Sequence, residues 1–480
     1  MSAWLFARAL SACFFVAFVS YGVQVRALIG GQGLLPAGRF AELLQSHYGL
    51  KRWVEIPTVF HLSASDGALV GACVAGALLS ILAFAGIAQS ICFLLMWVLY
   101  LSLINISQDF LSFQWDILLV EAGFLAIFLA PFWPAEWNPA RAFFIAPQPA
   151  PLIRYLFMFL LFRLMISSGI VKLTSGDETW RDLTAMAFHY ETQPIPNPLA
   201  WFMHQIPLWA QKISCVAMFA IELGAPFLLF IPGKARVAGA FLLAGLQVLI
   251  MTTGNYAYFN FLSIALCLWA IDDSWFSWAV PSLAEKLTLL ESGPALVYLS
   301  YPLALVLGIF GSVWLVNAVL PAVGVRGKMS FLMRPLQGFH LSNPYGLFAV
   351  MTTERNEIVI EGSNDGNTWA EYEFKYKPGR LDRMPPVVAP HQPRLDWQMW
   401  FAALGPYERS PWFYNLLIRL LQNDPLVTAL FAENPFPNVA PKQIRAVLYQ
   451  YHFAPPGSKD WWIRLPRGEF SPTLALESPR

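Results

Sequence analysis

The feature that most constrains this sequence is a succession of apolar runs, each near the length of a bilayer crossing. A hydrocarbon core about 30 Å thick takes about 20 mostly apolar residues per spanning helix. Nine runs meet or approach that length: Trp4–Val23, Gly67–Gly86, Ala88–Ser107, Ile117–Trp133, Leu152–Val171, Ile213–Ile231, Val237–Thr252, Tyr256–Ile271 and Ala295–Leu320. The fourth, seventh and eighth are the shortest. The expected fold is a polytopic α-helical membrane protein of about nine spans, six at the least, with a soluble tail. Composition agrees: the chain is 57% hydrophobic and 13% charged, where a soluble domain carries about 25% charge. The first run is read as a retained span, because Val19–Ala27 offers no small-x-small cleavage site. Lysines and arginines fall in loops on both sides, so the positive-inside rule gives no orientation. An odd number of spans would put the termini on opposite sides. The net charge of +1 removes the attraction that dominates nucleic-acid binding, so no nucleic-acid partner is expected.

Charge divides the chain. Residues 321–480 hold 31 of the 61 charged side chains. That makes the tail roughly 19% charged and the first 320 residues roughly 9%. We expect a membrane domain over 1–320 and a C-terminal soluble α+β module over 321–480, β-rich in its first part. Its strand-like runs are GLFAVMT, EIVIEGS and TWAEYEFKY, with a tight turn at Asp365-Gly366. Asp396–Leu404, Pro411–Gln422 and Leu426–Ala432 read as helices; Arg445–Phe453 and Trp461–Leu465 read as strands or short helices. The proline-punctuated stretch Pro385–Asp396 cannot be one helix. It is expected to run as a strap across the module's face. All five cysteines lie in the apolar segments and none forms a CxxC pair. His340, His391 and His452 are too dispersed to suggest a metal site. No metal or cofactor is expected.

Ionisable groups at membrane depth are costly and mark function by default. The candidates are Asp116, Glu121, Arg163, Lys172 and Glu222. The bland reading is an internal ion pair, Arg163 with Glu121 or Glu222. Asp116 could equally N-cap its helix. Lys172 ends the fifth run, where a lysine can snorkel to the interface. The loop Thr174–Lys212 adds Asp177, Trp180, Arg181, His189 and Gln193. These either fold the loop onto the membrane or complete a site with Lys172.

Long, irregular strings then bring a resemblance. QWDILLVEAGFLAIFLAP, SSGIVKLTSGDETWRDLTAMAFHYETQPIPNPLAW, TTGNYAYFNFL, NPYGLFAVMTTERNEIVIEGSNDGNTW, HQPRLDWQMWFAAL, NPFP and WWIRLPRGEF, in this order, resemble the lipase maturation factor family. The strings include loops, which chance likeness between apolar spans would not match. The resemblance implies a protein of the endoplasmic reticulum membrane in animals. It would assist folding and assembly of secreted lipases, with its C-terminal module on the luminal side touching the client. It implies no catalytic residues. Arg394, Asp396, Trp397 and Trp400 become candidate client contacts, although tryptophan is buried on average. The tail ends soon after WWIRL, without KDEL. The resemblance therefore fits a bacterial plasma-membrane form equally well, with a periplasmic module and a lipase or other secreted hydrolase as client.

A shorter string, SSGIVKLTSGDETWRDL, is similar to a segment of the vitamin K-dependent γ-carboxylase, where a lysine acts as base; Lys172 is the matching residue. An intramembrane enzyme is therefore the alternative. Transport is a third reading, weakened because no paired interrupted helices or internal repeat is visible.

Overall fold

The structure, a computed structural model, describes residues 1–133, 135–320 and 336–476. Its body contains α1 (Ser2–Gly22), α2 (Asp66–Phe84), α3 (Gln89–Ile106), α4 (Gln114–Ala126) and α5 (Pro151–Thr174). It continues with α6 (Ala185–Thr192), α7 (Leu208–Leu228), α8 (Lys234–Thr253), α9 (Phe259–Cys267) and α10 (Pro294–Val319). Among the described residues, seven helices are long and apolar enough to cross a membrane: α1, α2, α3, α5, α7, α8 and α10. The seventh expected span, one of the three shortest runs, is a full 20-residue helix.

The other two expected spans are corrected. The fourth run forms α4, of 13 residues, and the eighth forms α9, of 9 residues, continued by a 3-10 turn. At 1.5 Å per residue both fall well short of a hydrocarbon core about 30 Å thick. Half-length helices leave free backbone groups at membrane depth, which is tolerated only where protein encloses them. Both are enclosed: Trp115, Asp116, Leu118–Gly123 and Leu125 of α4 are buried, as are Asn260, Leu262 and Ser263 of α9.

Burial orders the bundle. In α1 and α5, 67% and 72% of the apolar window is buried, against 28%, 33% and 22% in α7, α8 and α10. The first two are therefore central and the last three face lipid. Phe14 and Phe18 of α1 sit against Gly123 and Gly76, where a Cβ would lie within 2.5 Å of a ring atom. Two short segments, β1 (Ile145–Gln148) and β2 (Thr288–Glu291), pair in parallel across the body.

The C-terminal module is α+β. Strands β3 (Arg355–Ser363), β4 (Ala370–Glu371), β7 (Gln443–Phe453) and β8 (Trp462–Ala475) form an antiparallel sheet of order β4-β3-β7-β8. A second pair joins β5 (Glu373–Phe374) to β6 (Phe431–Glu433). The expected turn is present: Asp365 accepts from the N–H groups of Asn367 and Thr368, and Gly366 has φ +75°. Helices α11 (Arg394–Ala402) and α12 (Pro411–Leu421) pack beneath. In α12, Trp412, Phe413, Leu416, Leu417 and Leu420 give one buried stripe.

Three expectations for the tail change. GLFAVMT is not a strand: Met351 N–H bonds Asp177 and Phe348 C=O accepts from Trp180, so its backbone is tied to the body instead of a ladder. Leu426–Ala432 gives only one helical turn, Pro425–Thr428, before β6. The strap Pro385–Asp396 leaves the module's face and enters the body. Asn255 holds it at Pro386, Val388 and Ala389, and Ser20 and Gln24 hold it at Gln392 and Arg394.

Candidate functional site

Among the described residues, three ion pairs with both partners buried have their carboxylate in the body, and the tail closes two of them. Asp116, in the first turn of α4, does not cap its helix. Its carboxylate takes a bidentate contact from Arg394, at 2.6 and 2.8 Å, with both side chains fully buried. Tyr100 and Tyr258 donate to the same carboxylate at 2.6 and 2.8 Å. Arg394 also donates to Phe110 C=O. Planar guanidinium against carboxylate is the strongest pairing available to side chains. The strap thus ends in a plug.

One turn further along α4, Glu121 pairs with Arg163 of α5, not leaving Arg163 to Glu222. The other Glu121 oxygen accepts from Asn343 N–H (3.1 Å), Asn343 Nδ2 (2.9 Å) and Tyr345 OH (2.7 Å). Arg163 in turn donates to Ser342 Oγ and Asn343 C=O. The SNPYG segment therefore satisfies this pair as the strap satisfies Asp116.

The third pair belongs to the body alone. Lys172 Nζ of α5 donates to both Glu222 oxygens of α7, at 2.9 and 2.8 Å, and to Ser168 C=O at 3.2 Å. Lys172 does not snorkel; it is 4% exposed. The helices can approach because Gly169 stands here: a Cβ would lie 2.6 Å from Leu223 Cδ2. This pair forms part of the wall of a cavity of about 360 Å³ between α5, α7, α8 and the α6 loop. Its walls are mostly apolar, including Leu164, Met218, Leu246 and Ile250. At the loop end His189 faces Tyr256 OH at 3.2 Å, and Tyr256 donates to Gln193 Oε1 at 2.8 Å. Burial, with Lys172 nearby, pushes the His189 imidazole down to about 4. It is therefore neutral at ordinary pH.

Of the loop residues singled out, Asp177, Trp180, His189 and Gln193 gather around this end or brace the tail against it, whereas Arg181 is exposed. The module's candidate contacts are corrected. Arg394, Asp396, Trp397 and Trp400 are 0%, 3%, 3% and 9% exposed, so they offer a client no surface. Asp396 accepts from Tyr376 and Lys377 N–H, and Trp397 packs on Trp115 with ring centroids 4.8 Å apart. Trp400 donates to Thr192 C=O. Asp396 thus ties α11 to the module's own chain, while Arg394, Trp397 and Trp400 seat the module on the body. Asn343, Tyr345, Asn255 and Arg355 do the same work and were not singled out. Arg355 is fully buried and donates to the carbonyls of Glu191, Gln193 and Pro194. Each lay in a string quoted for the resemblance, which is the signal that could have flagged them. Among the described residues, no three His, Cys, Asp or Glu side chains gather to hold a metal.

The fold and these sites define a class: an integral membrane protein whose extramembrane module is fastened into its helical bundle by buried charge. Comparison with known proteins narrows it. A family model described as the lipase maturation factor transmembrane domain matches residues 1–278, and one described as the lipase maturation factor C-terminal domain matches residues 341–472. Human lipase maturation factor 2 is 36% identical, covering 99% of this chain and 83% of its own. Bovine lipase maturation factor 1 is 34% identical, covering 98% and 89%. The chain belongs to the lipase maturation factor family. No solved structure matches it. Nothing in these comparisons supports the carboxylase alternative, and Lys172 Nζ is held by Glu222 and Ser168.

Proposed function

We propose that this chain assists the maturation of a secreted lipase, or a related secreted hydrolase, with its module on the luminal or periplasmic side. The membrane would be that of the endoplasmic reticulum in a eukaryotic cell and the inner membrane in a bacterium. The observation that carries this reading is the likeness, across both halves of the chain, to proteins named lipase maturation factors. The geometry supplies a mechanism. The buried pairs hold the module in one pose at the membrane, so a client leaving the bilayer meets a fixed surface.

With the tryptophans buried, the surface falls to β8. It is a 14-residue strand at the edge of the sheet, with Ile463 and Leu465 exposed at 43% and 51%. An unpaired strand edge is a template for a partly folded chain. Deleting the factor in its host and measuring active against total secreted lipase tests the function. Specific activity should fall; unchanged activity of every secreted hydrolase would sink the reading. The variant Ile463→Lys/Leu465→Lys should reproduce the loss with normal levels of the factor.

A further inference from the structure

We infer that the cavity beside Lys172 and Glu222 is a binding site for a neutral lipid that carries a hydroxyl head and an apolar chain, drawn from the bilayer. The inference goes beyond lipase maturation and does not rest on it.

Size comes first. At about 360 Å³ the cavity lies within the range of about 300–1,000 Å³ that holds small-molecule ligands. Its position decides the source. Ala217 of α7 and Leu249 of α8 line it and are both exposed, Leu249 at 62%. These are two of the least buried spans. The mouth therefore opens sideways into acyl chains, and the bilayer itself is the reservoir.

Chemistry decides the head. A void with only apolar walls would be filled by any lipid tail. This one carries a buried ion pair, a neutral histidine and a tyrosine in its lining. The charges of Lys172 and Glu222 cancel, so neither an anionic nor a cationic head is attracted overall. Lys172 has spent its three N–H bonds on Glu222 and Ser168. The Glu222 oxygens each keep a further lone pair. What the polar end offers is acceptors, and a hydroxyl donates to them. A carboxylate or phosphate anion brings no hydrogen to donate to these acceptors. A half-enclosed polar cluster at membrane depth gains most from such a partner, since water is scarce there.

The test uses the full-length protein, purified and placed in lipid nanodiscs. The probe is a monoacylglycerol bearing a photoreactive diazirine and an alkyne on its chain. A fatty acid with the same chain is the second probe. Crosslinks from the monoacylglycerol should map to α5, α7 and α8 at the cavity and be competed by unlabelled monoacylglycerol. The fatty acid should label this site about tenfold less. Ala217→Trp and, separately, Leu249→Trp fill the mouth from opposite sides at exposed positions, and each should remove the cavity label while leaving thermal unfolding unchanged. Labelling spread evenly over α2 and α10, or label at the cavity that neither competitor nor tryptophan reduces, overturns the proposal. Equal labelling by the fatty acid overturns the choice of a neutral head.

Discussion

The middle and the C-terminal end of α5 handle the same problem in opposite ways. Near its middle, Arg163 and Glu121 are enclosed by Ser342, Asn343 and Tyr345 from the tail, and beside them Asp116 is plugged by Arg394. Toward its end, Lys172 and Glu222 pair within the bundle and look onto an apolar space. Each closed carboxylate accepts four hydrogen bonds and functions as a fastener, whereas Glu222 accepts two. The open one has spare acceptors and a route to the bilayer. Buried charge in one protein thus does two jobs, and what separates them is whether a segment from outside the bundle hydrogen-bonds the pair; at the open site the tail only adds Leu347 and Phe348 to the cavity wall.

The comparison breaks most readily at Arg394. Arg394→Ala strands Asp116 in a dry interior, and removing one member of a buried pair costs about 3–5 kcal/mol. Thermal unfolding should drop accordingly, and limited proteolysis should cut the strap Pro385–Asp396. Adding Asp116→Asn should restore part of the loss. If the single variant unfolds like the parent, the plug is no fastener.

Lys172→Ala is the matched change at the open site. Glu222 accepts from this one side chain only, and a hydroxyl head in the adjoining cavity can replace it, so the loss should be smaller, roughly 1–3 kcal/mol. The same unfolding assay ranks the two; a loss equal to that of Arg394→Ala would erase the distinction.

The strap should also respond to pH. His391 bonds Ser20 at 2.9 Å, and burial, with Arg394 and Lys375 nearby, pushes its imidazole down to about 4. The unfolded ring takes a proton near 6.5, so stability is complete above that value and is lost as pH falls from 6.5 toward 4. Because the ring is partly in contact with water, the loss between pH 7 and 5 should be about 1 kcal/mol. His391→Gln should flatten this slope for strap proteolysis. Arg181→Ala, on the exposed side of the loop, should change stability by less than about 0.5 kcal/mol.

The spans were legible because apolar runs of bilayer length have few other uses. The hairpin turn was legible because Asp-Gly demands a particular backbone. The half-length helices were not, since hydropathy measures an apolar stretch and not where its helix stops. Partner choice was legible only where a short menu existed: Arg163 was read as paired with Glu121 or Glu222. Lys172 with Glu222, 50 residues apart, and Arg394 with Asp116, 278 apart, follow from which helix faces pack together, and no local pattern encodes that. The strap misled for the same reason, because its prolines reveal an extended chain but not the surface it lies on.

The plug at Asp116 also sets a timetable for synthesis. The carboxylate enters the membrane 278 residues before its guanidinium is made. At about 5–20 residues per second, it waits on the order of 15–55 s. Over that interval the nascent bundle holds an unmatched acid beside Tyr100, joined by Tyr258 only 142 residues later, and helix insertion is finished before the tail can fasten it. For the bundle, sealing therefore waits for PRLD to arrive from outside, so a chain truncated before Arg394 would be inserted yet unsealed, and quality control could recognise it by that acid.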